Sequence, residues 1–327
     1  MIEVLRCGAL TSVQDLGRFG LRHLGIPQSG ALDPLALQQA NLLVGNPPGA
    51  AVLEIGVGPM TLLFQRSCNV ALTGVDFCAT LSPPSAPEHR VFPGQAVAVA
   101  SGARLTLERP AIPGARAYLA ISGGIEVPIV LGSRSTDLNA GFGGHQGRAL
   151  RAGDSLASGH PSPASQRPSG GIRSLVPRPL LRALPGPDYA LFSQHAQQQF
   201  WTQAWRISHQ SNRMGLRLDG EPMRLGRAIN LLSSGVLPGD VQVPPEGLPI
   251  VLANDAQTIG GYPRIANVIQ ADRWQLAQLP AQTAIYFQAV TLEVAITARQ
   301  QQARYLARLA EGLAGAHDRG YQRRRSV

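Results

Sequence analysis

The sequence contains no lysine; all 29 of its basic residues are arginine. That excludes a lysine Schiff base, a lysine general base and a complete GxxxxGK[ST] phosphate loop. Biotin cannot be attached to this chain either, so nucleotide or carboxybiotin chemistry would rest on arginine, backbone N–H groups or another chain. Aromatic residues are only 5% of the chain, so aliphatic side chains must fill most of its core. No run of about 18 apolar residues occurs, and no membrane span is expected. Met1-Ile2-Glu3-Val4-Leu5 shows no basic stretch followed by an apolar one, so the chain is expected to be cytoplasmic. Cys7, Cys68 and Cys78 are odd in number and lack CxxC spacing, which reads as small buried hydrophobes in a reducing compartment. The seven histidines form no HxH, HxxxH or HExxH group, and no metal site is expected.

The net charge of +9 invites a nucleic-acid partner. Part of the excess sits in a tail, at Arg319, Arg323, Arg324 and Arg325, where it reads as a solvated end. Basic clusters interleaved with stacking aromatics are missing, so no nucleic-acid partner is expected.

What is abundant is glycine, at 36 residues, and proline, at 26. Spread along 327 residues, they predict many turns and therefore many short strands. The fold expected is mainly β with a few helices, in two lobes. Residues 1–155 form the N-terminal lobe, 156–172 a Ser/Pro/Gly-rich linker and 173–290 the C-terminal lobe, followed at 291–327 by a helix and basic tail. A helix is predicted from Asp33 to Val44, with Asp33 as cap, Pro34 in the first turn and Gly45 closing it. Strands are predicted at Val52–Ile55, Met60–Phe64, Val70–Leu72, Ala96–Val99, Leu105–Leu107 and Ala117–Ile121. In the second lobe they fall at Ile229–Leu232, Val241–Val243, Ile250–Leu252, Ala266–Ile269 and Ala284–Phe287. Helices are expected from Ala190 to Trp201 with Asp188 as cap, near Asp272–Leu279, and from Thr291 to Leu313.

Four stretches carry more polar chemistry than a turn requires. In the first, residues 11–33, Gln14 offers an amide donor and acceptor, and Arg18 a fork for a carboxylate or phosphate. A simple Asp15–Arg18 pair within a turn explains the same residues equally well. In the second, Ser133, Ser135 and Thr136 lie beside Gly-rich 141–144 and can hold an oxyanion, as any exposed loop of this composition can. The third is Ser211-Asn212-Arg213-Met214-Gly215, where Arg213 is either a ligand clamp or half of a surface ion pair. The fourth runs from Asn254 to Arg264 and is the densest. Asp255 or Tyr262 could move protons there, and Gln257 could read a substrate amide. An Asx turn with a glycine bulge is the structural alternative.

Taken in order, TSVQDLGRFG…GIPQSGALD at 11–33, GGI…LGSRST…AGFGG at 123–144, SNRMG at 211–215 and QVPP…DAQTIGGYP at 242–263 resemble the allophanate-hydrolase-subunit-2 family. Its members include the C subunit of bacterial 5-oxoprolinase and the carboxyltransferase half of urea carboxylase. The resemblance implies a cyclophilin-like β-barrel architecture and a direct B-subunit partner, with an A subunit. It implies ATP, with Mg2+ held in the complex, for opening the lactam of 5-oxoproline to glutamate. The alternative is carboxyl transfer from carboxybiotin to urea or another amide; a further one is a regulatory protein that binds a signalling kinase through its B partner. On this reading Asp255, Gln257 and Tyr262 are catalytic. Gln14, Asp15, Arg18, Ser29, Asp33, Ser133, Ser135, Thr136, Arg213, Thr258, Gly260 and Gly261 bind substrate.

Overall fold

Asp33 opens the first helix by accepting the Ala36 N–H at 2.8 Å, and Pro34 occupies the first helical position. This helix, α1, spans Pro34–Leu43. In the computed structural model, which describes residues 1–161, 171–224 and 231–322, α1 lies over a sheet, with the Thr73 hydroxyl donating to Ala36 O at 2.7 Å. The sheet runs in the order Ser12–Gln14, Val52–Ile55, Ala117–Ile121, Cys68–Gly74, Gln95–Val99, all antiparallel. A second sheet has seven strands, with Ile2–Arg6 and Met60–Phe64 near its middle. Ile2, Leu53, Ile55, Leu62, Phe64, Leu72, Leu105, Leu119 and Ile121 form the core of this first unit, which is aliphatic as the composition requires.

The chain divides into two compact units. The first contains 1–17, 33–176 and 303–327, and the second 18–32 and 177–302. Seven strands of the second unit close a barrel: Leu180–Pro185, Arg264–Val268, Asp240–Gln242, Ile250–Leu252, Gly215–Asp219, Trp205–Ile207 and Ala284–Ala289. A parallel pairing of Leu180–Ala183 with Tyr286–Ala289 completes the closure, so no strand edge of the barrel stays open. The scarce aromatics concentrate here. Phe200 stacks on Phe287 at 4.6 Å between centroids and meets Trp201 edge-on at 4.8 Å. The helices of this unit are α2 (Gln194–Thr202), α3 (Arg273–Leu276) and the start of α4 (Leu292–Gln322). The expected mainly β architecture with a few helices is the one the chain forms. No helix among the described residues is long and apolar enough to cross a membrane.

Four expectations need correction. The linker does not begin at 156, because Ser155–Ser158 is a strand paired with Ile2–Glu3 and Leu156 is buried. At its other end Gly171 bridges Gln95 and the Ile172 N–H donates to Gly94 O; residues 162–170 lie outside the described ones. Asp188 does not cap α2. Ser193 does, accepting the Ala196 N–H at 3.2 Å, while Asp188 pairs with Arg264 at 2.9 Å. The strand expected at Ile229–Leu232 is absent at Leu231 and Leu232, and its first two residues lie outside the described ones, as does the tail beyond Gln322. The three cysteines are only half-buried and unbonded to one another, and burial pushes the Cys68 thiol up to about 11.

Candidate functional site

The polar motifs resolve into two groups, one in each unit. In the first unit the strand Ser12–Gln14 carries Gln14 and Asp15 toward the 133–136 turn. The Asp15 carboxylate accepts four hydrogen bonds: from Gly17 N–H at 2.8 Å, Ser133 Oγ and Arg134 N–H at 2.6 Å each, and Ser135 Oγ at 2.5 Å. The Asp15 N–H in turn donates to Ser135 Oγ at 3.0 Å. The anion held by these hydroxyls is therefore the chain's own carboxylate. Thr136 uses both its N–H and its hydroxyl on Val13 O, each at 2.9 Å. Gly144 is required beside it: at φ +51°, a Cβ there would sit 1.8 Å from Thr136 Oγ1. Gln14 is fully buried and donates to Ser12 Oγ at 2.9 Å and Thr136 O at 3.1 Å.

Asp33 belongs to the same unit and meets residues that no motif marked. Its N–H donates to the Tyr118 hydroxyl at 2.8 Å, and that hydroxyl donates to Glu54 Oε2 at 2.9 Å. Arg116 Nε donates to Glu54 Oε1 at 3.1 Å. Tyr118 is wholly buried, and burial, reinforced by the charges of Glu54 and Asp33, raises its phenol well above the ordinary range. A carboxylate inside the apolar run Val52-Leu53-Glu54-Ile55 was the available signal, because such a group needs buried partners.

The second unit holds the other group. Arg213 meets Asp255 through Nε at 2.7 Å and Nη2 at 3.0 Å, a bidentate pair, and Nη2 also donates to Gly30 O at 2.6 Å. Their side chains are 9% and 1% exposed, so Arg213 forms an ion pair, the alternative to a ligand clamp, but a buried one and not one at the surface. Beside it the Ser29 N–H donates to Asn254 O at 2.9 Å, and Asn254 Nδ2 to Ala31 O at 2.7 Å. Ser29 is buried in the left-handed region at φ 53°, a strained conformation for a residue with a Cβ. Arg18 is buried as well, its N–H donating to Gln28 O at 2.7 Å.

The 254–263 stretch is polar on both faces. Gln257 and Tyr262 are exposed, whereas Asp255 and Thr258 are buried. Gln257 Nε2 reaches the buried Gln242 Oε1 at 3.3 Å, and Gln242 donates to Tyr262 O at 3.3 Å. A Cβ on Gly260 would lie 2.7 Å from Gln242 Nε2, so that close packing explains the glycine; Gly261 follows it in the turn to Tyr262. Arg22 was passed over by the motif reading. Its Nη2 donates to Val236 O at 2.7 Å and Gln257 O at 2.8 Å. Among the described residues no group of three His, Cys, Asp or Glu side chains could hold a metal ion.

Comparison with known proteins identifies the lineage. The chain is 48% identical over 310 residues to the 5-oxoprolinase C subunit of Escherichia coli, covering 95% of this chain and 98% of that one. It is 40% identical to the 5-oxoprolinase C subunit of Haemophilus influenzae over 94% of this chain and 96% of that protein. The crystal structure of Kluyveromyces lactis urea amidolyase superposes with a TM-score of 0.85 at 29% identity over 94% of this chain, which spans 20% of that longer chain. The family model for the carboxyltransferase domain, subdomain A and B, matches residues 24–289, and the chain belongs to that family.

Proposed function

We propose that this chain is the C-type subunit of a cytoplasmic, ATP-dependent 5-oxoprolinase, opening the lactam of 5-oxoproline to glutamate with A and B subunits and active only in that complex. The observation that carries the reading is the 48% identity to a 5-oxoprolinase C subunit, which spans almost the full length of both chains. Carboxyl transfer draws support from more distant relatives, such as the urea amidolyase of Lachancea kluyveri at 29% identity.

A nucleotide phosphate needs cationic or N–H donors free to receive it. In both groups the chain's own carboxylates take such donors: Asp15 holds Ser133, Arg134 N–H and Ser135, and Asp255 holds Arg213. These groups do not fit a triphosphate, so ATP and its Mg2+ are assigned to another subunit. Biotin belongs only to the carboxyl-transfer alternative.

The residues suited to the lactam are Gln257 and Tyr262, both exposed on the second unit. A glutamine amide can donate to the lactam oxygen and accept from its N–H at once. The Tyr262 phenol, 48% exposed, is suited to deliver a proton to the nitrogen as the ring opens. Asp255, clamped by Arg213, serves as a positioning residue that fixes the 254–258 turn beneath them.

The test is to co-express the chain with its A and B partners and measure ADP release dependent on 5-oxoproline. Gln257→Ala should lower kcat by about a hundredfold to a thousandfold at unchanged melting temperature, the range for losing one transition-state hydrogen bond. A full complex that ignores 5-oxoproline but carboxylates urea from carboxybiotin would overturn the proposal.

A further inference from the structure

A short antiparallel ribbon, Ser234–Gly235 with Ile259–Gly260, stands beside the barrel strands of the second unit. Its pairing runs on as the Val236 N–H donates to Thr258 O. Side chains alternate along it. Val236 and Thr258 turn inward at 1% and 8% exposed, and Val236 packs with Leu252 and Ala256. Leu237 and Ile259 turn outward at 57% and 62% exposed. Gly235 opposes Ile259, so these two aliphatic side chains share one face with Gln257. Leu24, 64% exposed, lies on the turn that Arg22 fastens to the carbonyls of Val236 and Gln257.

The charge behind this face is unbalanced. Arg264, Arg22 and Arg273 donate to the carbonyls of Gly235, Val236 and Pro238 at 2.8, 2.7 and 2.9 Å. Among the described residues, two carboxylates accompany the three guanidiniums. Asp188 is committed to Arg264, and Asp240 accepts from Leu237 N–H and Asn267 Nδ2. Among the described residues, the buried Nε and Nη1 of Arg22 have no hydrogen-bond partner. Burial lowers the affinity of Arg22 and Arg273 for their protons, and Asp240 opposes the loss in both.

Exposed leucine and isoleucine on a hydrogen-bonded ribbon, backed by surplus positive charge, suit a partner that is apolar at its centre and acidic at its rim. We infer that this face of the ribbon, centred on Leu237 and Ile259, docks a second protein subunit whose contacting surface carries carboxylates around an apolar patch. The inference rests on the multi-subunit reading above. Two observations favour a protein as the occupant: the relatives at 48% and 40% identity are named as subunits, and in the urea amidolyase this fold is one fifth of a much longer chain.

The experiment co-expresses the tagged full-length chain with its A and B partners, as wild type and as the double variant Leu237→Asp, Ile259→Asp. Two carboxylates facing an acidic rim should weaken partner capture by at least about a hundredfold, the scale of a lost interface hot spot. The purified chain's melting temperature should not change, and capture by the wild type should weaken as ionic strength rises. Wild-type partner recovery by the variant would overturn the inference. So would a wild-type chain that dimerises alone through this face while the variant still captures its partners. Should the variant fail to fold, hydrogen exchange on the wild-type complex decides: residues 234–238 and 256–260 must gain protection over the free chain, and absence of protection rejects the docking site. A complex that assembles through the ribbon yet ignores 5-oxoproline would sink the enzymatic proposal and leave this one standing.

Discussion

Asp15 gathers two hydroxyls and two backbone N–H groups, and Arg213 meets Asp255 through two nitrogens, so each carboxylate closes a loop that would otherwise leave buried donors unmet. Removing one side of such an arrangement costs more than the bond itself. Asp15→Ala should destabilise the protein by about 2–4 kcal/mol, with Asp15→Asn recovering about half, as read by chemical denaturation. Arg213→Met leaves Asp255 buried without its guanidinium and should cost about 3–5 kcal/mol. The double variant Arg213→Met, Asp255→Leu should regain most of that, and a double variant no more stable than the single one would contradict the account. Asp154 provides the pH signature. Arg148 engages it through both terminal nitrogens and the Arg151 N–H adds a third bond, which together hold its carboxyl well below the usual carboxylate range. A depressed folded-state value stabilises above the unfolded pKa, near 3.9, and the benefit disappears as pH falls through the folded-state value. The stability gap between wild type and Asp154→Asn should therefore stay constant from neutral pH to about 5 and close under stronger acid.

Among the elements, those with a local cause were legible. Asp33-Pro34 and Gly45 announced α1, and the apolar runs at Val52–Ile55, Met60–Phe64 and Ala117–Ile121 are strands as expected. The element that was misread turned on two rival caps five residues apart. Both Asp188 and Ser193 have capping chemistry, but Arg264, distant in sequence, claims Asp188 and leaves Ser193 to cap α2. Ser193→Ala should cost about 1 kcal/mol, with helix loss confined to 194–202 in hydrogen exchange. Asp188→Ala should leave α2 intact and loosen the strand Arg264–Val268 instead. The same limit governed the site. Residues within one motif were readable as polar clusters, but the commitment of Ser133 and Ser135 to Asp15 links positions 118 and 120 apart, which spacing cannot reveal. Tyr118 was missed because it lies inside a strand whose neighbours are apolar, where a polar side chain reads as an ordinary member of the run.

For the whole molecule, the units do not follow the order of the chain. Residues 18–32 belong with 177–302, although they are coded amid strands of the first unit. Gly30 O receives Arg213, Ser29 and Ala31 bracket Asn254, and Arg22 secures Val236 and Gln257. A fragment beginning at Pro177 therefore lacks acceptors that its own side chains require. It should refold without a cooperative thermal transition, and adding a synthetic peptide of residues 18–32 should restore one; a sharp melt by the fragment alone would contradict this dependence.

The interleaving also sets a timetable during synthesis. Gly30 leaves the ribosome 183 residues before Arg213, roughly 10–40 s at ordinary elongation rates. Throughout that interval the early segment, whose Arg18 and Ser29 are buried in the folded protein, has no barrel to join. The polar groups of that segment therefore stay hydrated until the barrel forms, and slower translation lengthens the wait.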